Sequence, residues 1–162
     1  MKHIKLILIF ISVLLVLNSC STDSSESKCP EIENISMKIN GEFKEFQVIG
    51  WGIDLNNDGS SHTLTLQIHT GVFNPEQDSY DITLKLPYKK NGVNLIEEFN
   101  YFRVQNGTVS HVNFVTGEFQ SKVTVNKNTC FSGTFSGRAV IDGNEIIITE
   151  GILNHVYADP FD

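Results

Sequence analysis

From Ile35 onward apolar and polar residues alternate with a period of two, and that period suits extended strands rather than helices. Leu64, Leu66 and Ile68 fall on one side of the stretch 62–70, with Thr63, Thr65 and Gln67 on the other. Ile82, Leu84 and Leu86 repeat the pattern, as do Ile35, Met37 and Ile39 against Ser36 and Lys38. In 130–141 the residues Phe131, Gly133, Phe135, Gly137 and Ala139 share one face. No apolar stripe with a 3.6-residue period lasts beyond two helical turns, so each strand is expected to bury one face and wet the other.

Turn chemistry divides this pattern into strands. Asn40-Gly41, Asn106-Gly107 and Asp142-Gly143 each supply two residues that tolerate positive φ, which a type I′ hairpin turn requires. Thr116-Gly117 marks a further break. The expected strands are 35–39, 42–46 running on through 47–53, 62–70, 80–86, 99–105, 108–115, 118–125, 130–141 and 145–156. Short strands punctuated every ten or so residues indicate an all-β fold, a single antiparallel β-sandwich or flattened barrel over residues 30–157. Residues 158–162 form a tail, and no repeat of fixed period is present.

The N-terminus has a different chemistry. Lys2 and Lys5 precede an apolar run from Leu6 to Leu17 broken only by Ser12. As a helix the run would span roughly 18 Å, short of the ~30 Å hydrocarbon core, so it reads as an export signal rather than a membrane span. Leu17-Asn18-Ser19-Cys20 resembles a bacterial lipobox. That resemblance implies removal of residues 1–19 and lipidation of Cys20 as the new N-terminus; the alternative is an ordinary secreted protein with a chance cysteine. Ser21 stands where an inner-membrane retention signal would place Asp, which favours the outer membrane. Ser21 to Lys28 has no apolar side chain, so residues 20–29 are expected to be a lipid-bearing flexible spacer.

Charge narrows the partners. Twelve Lys and Arg against 19 Asp and Glu give −7, and losing Lys2 and Lys5 with the leader takes this to −9. Such a balance argues against nucleic acid and against electrostatic binding to anionic lipid. If Cys20 carries lipid, Cys29 and Cys130 remain. In an oxidising compartment they can form one disulfide closing a loop of about 100 residues, or stay as two buried thiols. No CxxC or paired His-Cys spacing suggests zinc.

Candidate sites are few. Asp54-Leu-Asn56-Asn-Asp58-Gly59 matches the opening of a calcium loop, with oxygen ligands at positions 1, 3 and 5, but Thr65 stands where the bidentate Glu belongs. The other reading is a polar turn between strands. Apart from that calcium reading, no cofactor is expected. His62 and His69 lie seven apart, on opposite faces of one strand, and the strand histidines are expected to be exposed. No GxSxG is present, Glu97-Glu98 point apart if extended, and no catalytic residue is assigned. Among the aromatics, Trp51, Tyr88 and Tyr101 are candidates for an exposed platform contacting a sugar or peptide; Trp51 lies between glycines and Tyr88 follows Pro87, as residues at loop tips do. The sequons at Asn34 and Asn106 read as turns.

Gly133-Thr-Phe-Ser-Gly137, a turn, and Ile147-Ile-Thr-Glu-Gly151-Ile-Leu-Asn154 together resemble the ending of small all-β domains in Bacteroidetes-type envelope lipoproteins. The Asn40-Gly41 hairpin and the Asp78-Ser-Tyr-Asp81 strand entry fit the same pattern. The resemblance implies a β-sandwich at the cell envelope and supplies no catalytic residues. The functional expectation is a lipid-anchored, non-catalytic binding or structural module. Its partners would be the membrane, through its lipid, and a glycan or envelope protein. A hydrolase with an unrecognised site is the expectation from another class.

Overall fold

The computed structural model describes residues 27–70 and 79–159. The leader, Cys20, most of the spacer, Asp78 and the tail residues 160–162 lie outside them. Ten strands and no helix make up the described chain: β1 Asn34–Ile39, β2 Glu42–Leu55, β3 Ser61–Thr70, β4 Ser79–Pro87, β5 Gly92–Val93, β6 Glu98–Gln105, β7 Thr108–Phe114, β8 Gln120–Asn126, β9 Cys130–Ile141 and β10 Asn144–Val156. The sheet runs β10-β1-β2-β3-β4-β6-β7-β9, every pair antiparallel, and β9 pairs back to β10. Of the two expected architectures, the closed one forms, an eight-stranded barrel in which β9 and β10 close the ring.

The turn chemistry does what the sequence suggests. Asn40 and Gly41 have φ of 51° and 84°, Asn106 and Gly107 49° and 75°, Asp142 and Gly143 49° and 76°. These left-handed pairs twist each hairpin in the sense of its strands. All three lie at one end of the barrel, the turn end. At the opposite end the chain enters through residues 29–33, β2 passes to β3, β4 to β6, and β8 to β9, and β10 finishes; we call this the foot.

One seam of the wall is split. β5 pairs with β8 and β6 with β7, both antiparallel, so residues 94–97 and 115–119 bow apart between the two ladders. Phe99, Phe114, Phe119 and Phe135 pack together there with contacting ring centroids 4.8–6.5 Å apart. Asn94 closes the β5 side, donating its amide to Ser121 O at 2.7 Å and accepting from Ser121 N at 3.0 Å.

The core is one cluster. It contains the alternating Leu64, Leu66, Ile68, Ile82, Leu84 and Leu86, all fully buried, with Met37, Phe131, Phe135, Ile148 and Leu153. Two bulges reset the alternation. In β2 the register slips between Val48 and Gly50, leaving Ile49 outside while Phe46 lies inward before it and Trp51 packs on the core after it. In β10 it slips between Ile148 and Gly151, with Glu150 at φ 51°, so inward residues change from Ile146 and Ile148 to Gly151, Leu153 and His155. One extra residue moves every later side chain to the other face.

Candidate functional site

The foot of the barrel gathers most of the polar chemistry. Cys29 and Cys130 form a disulfide joining residues 101 apart in sequence, with Cα atoms 5.8 Å apart. Cys29 precedes β1 and Cys130 opens β9, so the bond straps the entering chain to the wall two strands away. The strap continues to Glu33. Its Oε1 accepts the Val156 amide at 3.2 Å and lies 2.7 Å from His155 Nδ1. Tyr157 N donates to Thr129 O at 3.0 Å, holding the end of β10 against the turn before β9.

β1 starts only at Asn34, whereas β2 runs on to Leu55. Between the far half of β2 and the end of β10 the wall therefore has no strand, and a slot of about 550 Å³ opens, lined by Glu33, Ile49, Trp51, His155 and Tyr157 among others. The three rings meet in it. Trp51 lies 5.2 Å from Tyr157 and 6.0 Å from His155, and His155 lies 5.4 Å from Tyr157. A second trough of about 700 Å³ runs over β1 and β2 past Asn34, Glu45 and Gln47, and shares Glu33 and Val48 with the slot.

His155 is 3% exposed, and neither ring nitrogen has an aligned hydrogen-bond partner among the described residues, although Nδ1 is within ion-pair distance of Glu33. Burial lowers its pKa, and the Glu33 carboxylate pulls partly the other way. The ring is held neutral near pH 7. A carboxylate oxygen at 2.7 Å then favours the tautomer with the proton on Nδ1, leaving Nε2 an acceptor. Burial also pushes the Tyr157 phenol up, so it stays protonated at neutral pH.

A second buried imidazole, His62, lies at the same end on β3. It is 1% exposed, its pKa is lowered by burial, and Tyr88 meets it edge-on at 5.2 Å. Lys89 sits 4.9 Å from the Tyr88 ring centre. The expectation of exposed strand histidines is corrected for His62 and His155. Both point inward in phase with apolar neighbours, Leu64 and Leu153, and a side chain's face follows from strand parity whatever its polarity.

The other sequence candidates separate. Tyr101 is 2% exposed and stacked on Tyr80 at 5.3 Å, so it belongs to the core and offers no surface; its cross-strand partners Ile82 and Val112 are buried on the same face. Trp51 lies within β2 rather than at a loop tip, half-buried and facing the slot, whereas Tyr88 does follow β4 into the foot. Asn34 heads β1 and is not a turn, while Asn106 is one.

Asp54, near the end of β2, and Asn56 and Asp58, in the loop after it, are exposed, and the latter two serve the turn itself. The Ser60 hydroxyl, and the Ser60 amide that Asp58 Oδ1 accepts at 2.9 Å, hold the Asp58 carboxyl below the usual range; Asn56 Nδ2 donates to Ser61 Oγ, and Asn56 O accepts Gly59 N at 2.8 Å. Those are the bonds of a polar turn. Among the described residues no group of three or more His, Cys, Asp or Glu side chains is placed to hold a metal ion.

No protein-family model, no curated protein and no solved structure matches this chain.

Proposed function

We propose that this protein is a lipid-anchored, non-catalytic binding module of the bacterial cell envelope, held at the outer membrane through Cys20 and binding its ligand at the foot of the barrel. The observation that carries the reading is the open slot beside Trp51, on the same end of the barrel as the entering chain. The lipobox supports the anchor, and the Cys29–Cys130 disulfide fits the oxidising compartment that an export signal implies. Binding is favoured over chemistry because, among the described residues, the slot's lining includes no serine, threonine or cysteine nucleophile beside its neutral imidazole. A glycan- or peptide-binding accessory role is the specific form the aromatic lining supports.

Growth of the expressing cells with an alkyne-labelled fatty acid tests the anchor. Label on the wild-type chain and none on Cys20→Ala is expected; an unlabelled wild type would refute it. Thermal melts of the mature protein against calcium, oligosaccharides and peptides test the binding role. A ligand at 100 times its Kd adds about 2.7 kcal/mol, and a melt that no class of ligand moves would count against it.

A further inference from the structure

The slot and the trough that meets it have a one-sided polar lining. Glu33 and Glu45 contribute carboxylates, and among the described residues neither Lys nor Arg lines either cavity. Glu45 is exposed and has no ion-pair or hydrogen-bond partner among the described residues, whereas Glu42, Glu98, Glu118, Glu145 and Glu150 are each paired with a Lys or Arg. Acceptors without donors accompany these charges. Asn34 Oδ1 is buried and unpartnered in the trough, and His155, 97% buried, lines the slot with Nε2 likewise unpartnered. A buried acceptor left unmatched is destabilising, and a ligand that brings N–H donors relieves that cost. Trp51, half-buried, and Tyr157 also line the slot with their rings 5.2 Å apart, and aromatic rings favour a cation over an anion.

We propose that the slot and trough bind an organic ammonium cation, its charged head against Glu33 and the Trp51 ring and its remaining length along Glu45. This assignment rests on the binding-module reading above and names the chemistry of its ligand. The same head group is carried by a lysine side chain of a partner peptide and by a free amine. Both meet the slot's requirement for a compact positive charge rich in donors.

Trp51 is the chain's single tryptophan, so its fluorescence reports on this slot alone. The mature chain in detergent is titrated with tetralysine, cadaverine, tetraglutamate and maltotetraose. Tetralysine is expected to shift the emission saturably, with affinity falling as salt rises. A response to cadaverine as well assigns recognition to the ammonium group alone; a response to tetralysine only assigns it to a peptide segment. Glu45→Gln should weaken binding roughly two- to fivefold with the melt unchanged, since removing one exposed charge from an ion pair is worth up to ~1 kcal/mol. Glu97→Gln, on the connection between β4 and β6, should leave affinity unchanged. Equal weakening by both variants, or none by Glu45→Gln, would show general attraction to an acidic protein and overturn the assignment. A shift with maltotetraose and none with amines would overturn it while leaving the binding module standing. Silence with every probe would remove both.

Discussion

The two ends of the barrel solve the problem of reversing the chain differently. At the turn end three hairpins close with two residues each, and the first is tied to β10 by Asn40, whose N donates to Ile147 O and whose Oδ1 accepts Ile147 N, both at 2.8 Å. At the foot the described connections run to three residues or more, and what holds them is side-chain chemistry: a disulfide, the His155–Glu33 contact, an Asx turn and rings in edge-on or tilted contact. A two-residue turn has no room for a concavity, whereas a wall that lacks a strand leaves one. Clefts gather where connections are irregular, on a scaffold that stays regular elsewhere.

Stability measurements can break this contrast. Cys29→Ser with Cys130→Ser should cause the largest loss, up to ~4–5 kcal/mol for a loop of about 100 residues, read from denaturant unfolding. A loss under 1 kcal/mol would mean that the foot holds without its strap.

Acid should come next, and it should act on the foot. His62 and His155 both have pKa values lowered by burial, so the unfolded chain binds more protons than the folded one as pH falls. Their contribution to stability is complete above the unfolded value near 6.5 and is lost as pH drops through the window below it. The melting temperature should therefore fall between pH 7 and 5, and His62→Gln with His155→Gln should flatten the part of that slope due to the two rings. An unchanged slope in the double variant would place the acid sensitivity elsewhere.

At the turn end, Gly143→Ala puts a side chain at φ 76° and should cost about 1 kcal/mol. The change leaves open space around the new methyl, so a larger loss would reveal constraints absent from the contrast. Least of all, Arg138→Met removes the exposed ion pairs with Glu118 and Glu145 near the turn end and should cost under ~1 kcal/mol, shrinking with salt.

Much of the wall was legible because period-two alternation and Asn-Gly or Asp-Gly turns are local signals. Leu64, Leu66 and Ile68 could be turned inward from their spacing alone, and the strands from β6 to β10 fall within two residues of expectation. The bulges were not legible. Ile146, Ile147 and Ile148 give no parity, and nothing in the run marks Glu150 as the residue that slips. Tyr101 was misplaced for a related reason, since its face depends on pairing with Ile82, and register between strands is a tertiary fact. The buried histidines did leave a sign: His62 is in phase with Leu64, and parity should have outweighed polarity. The slot left none, because it arises where β1 is shorter than its neighbours β2 and β10.

The disulfide also decides how the barrel bears a mechanical load. A pull on the chain upstream of Cys29 passes through sulfur into β9, which is held on both sides, by β10 along one edge and by β8 and then β7 along the other. Without the bond the same force would arrive at β1, whose six residues could be peeled from β10 and β2 a few hydrogen bonds at a time. Through the bond the force is spread over the longest ladder in the wall, and the part of the chain that enters the fold first becomes one of the hardest to pull out.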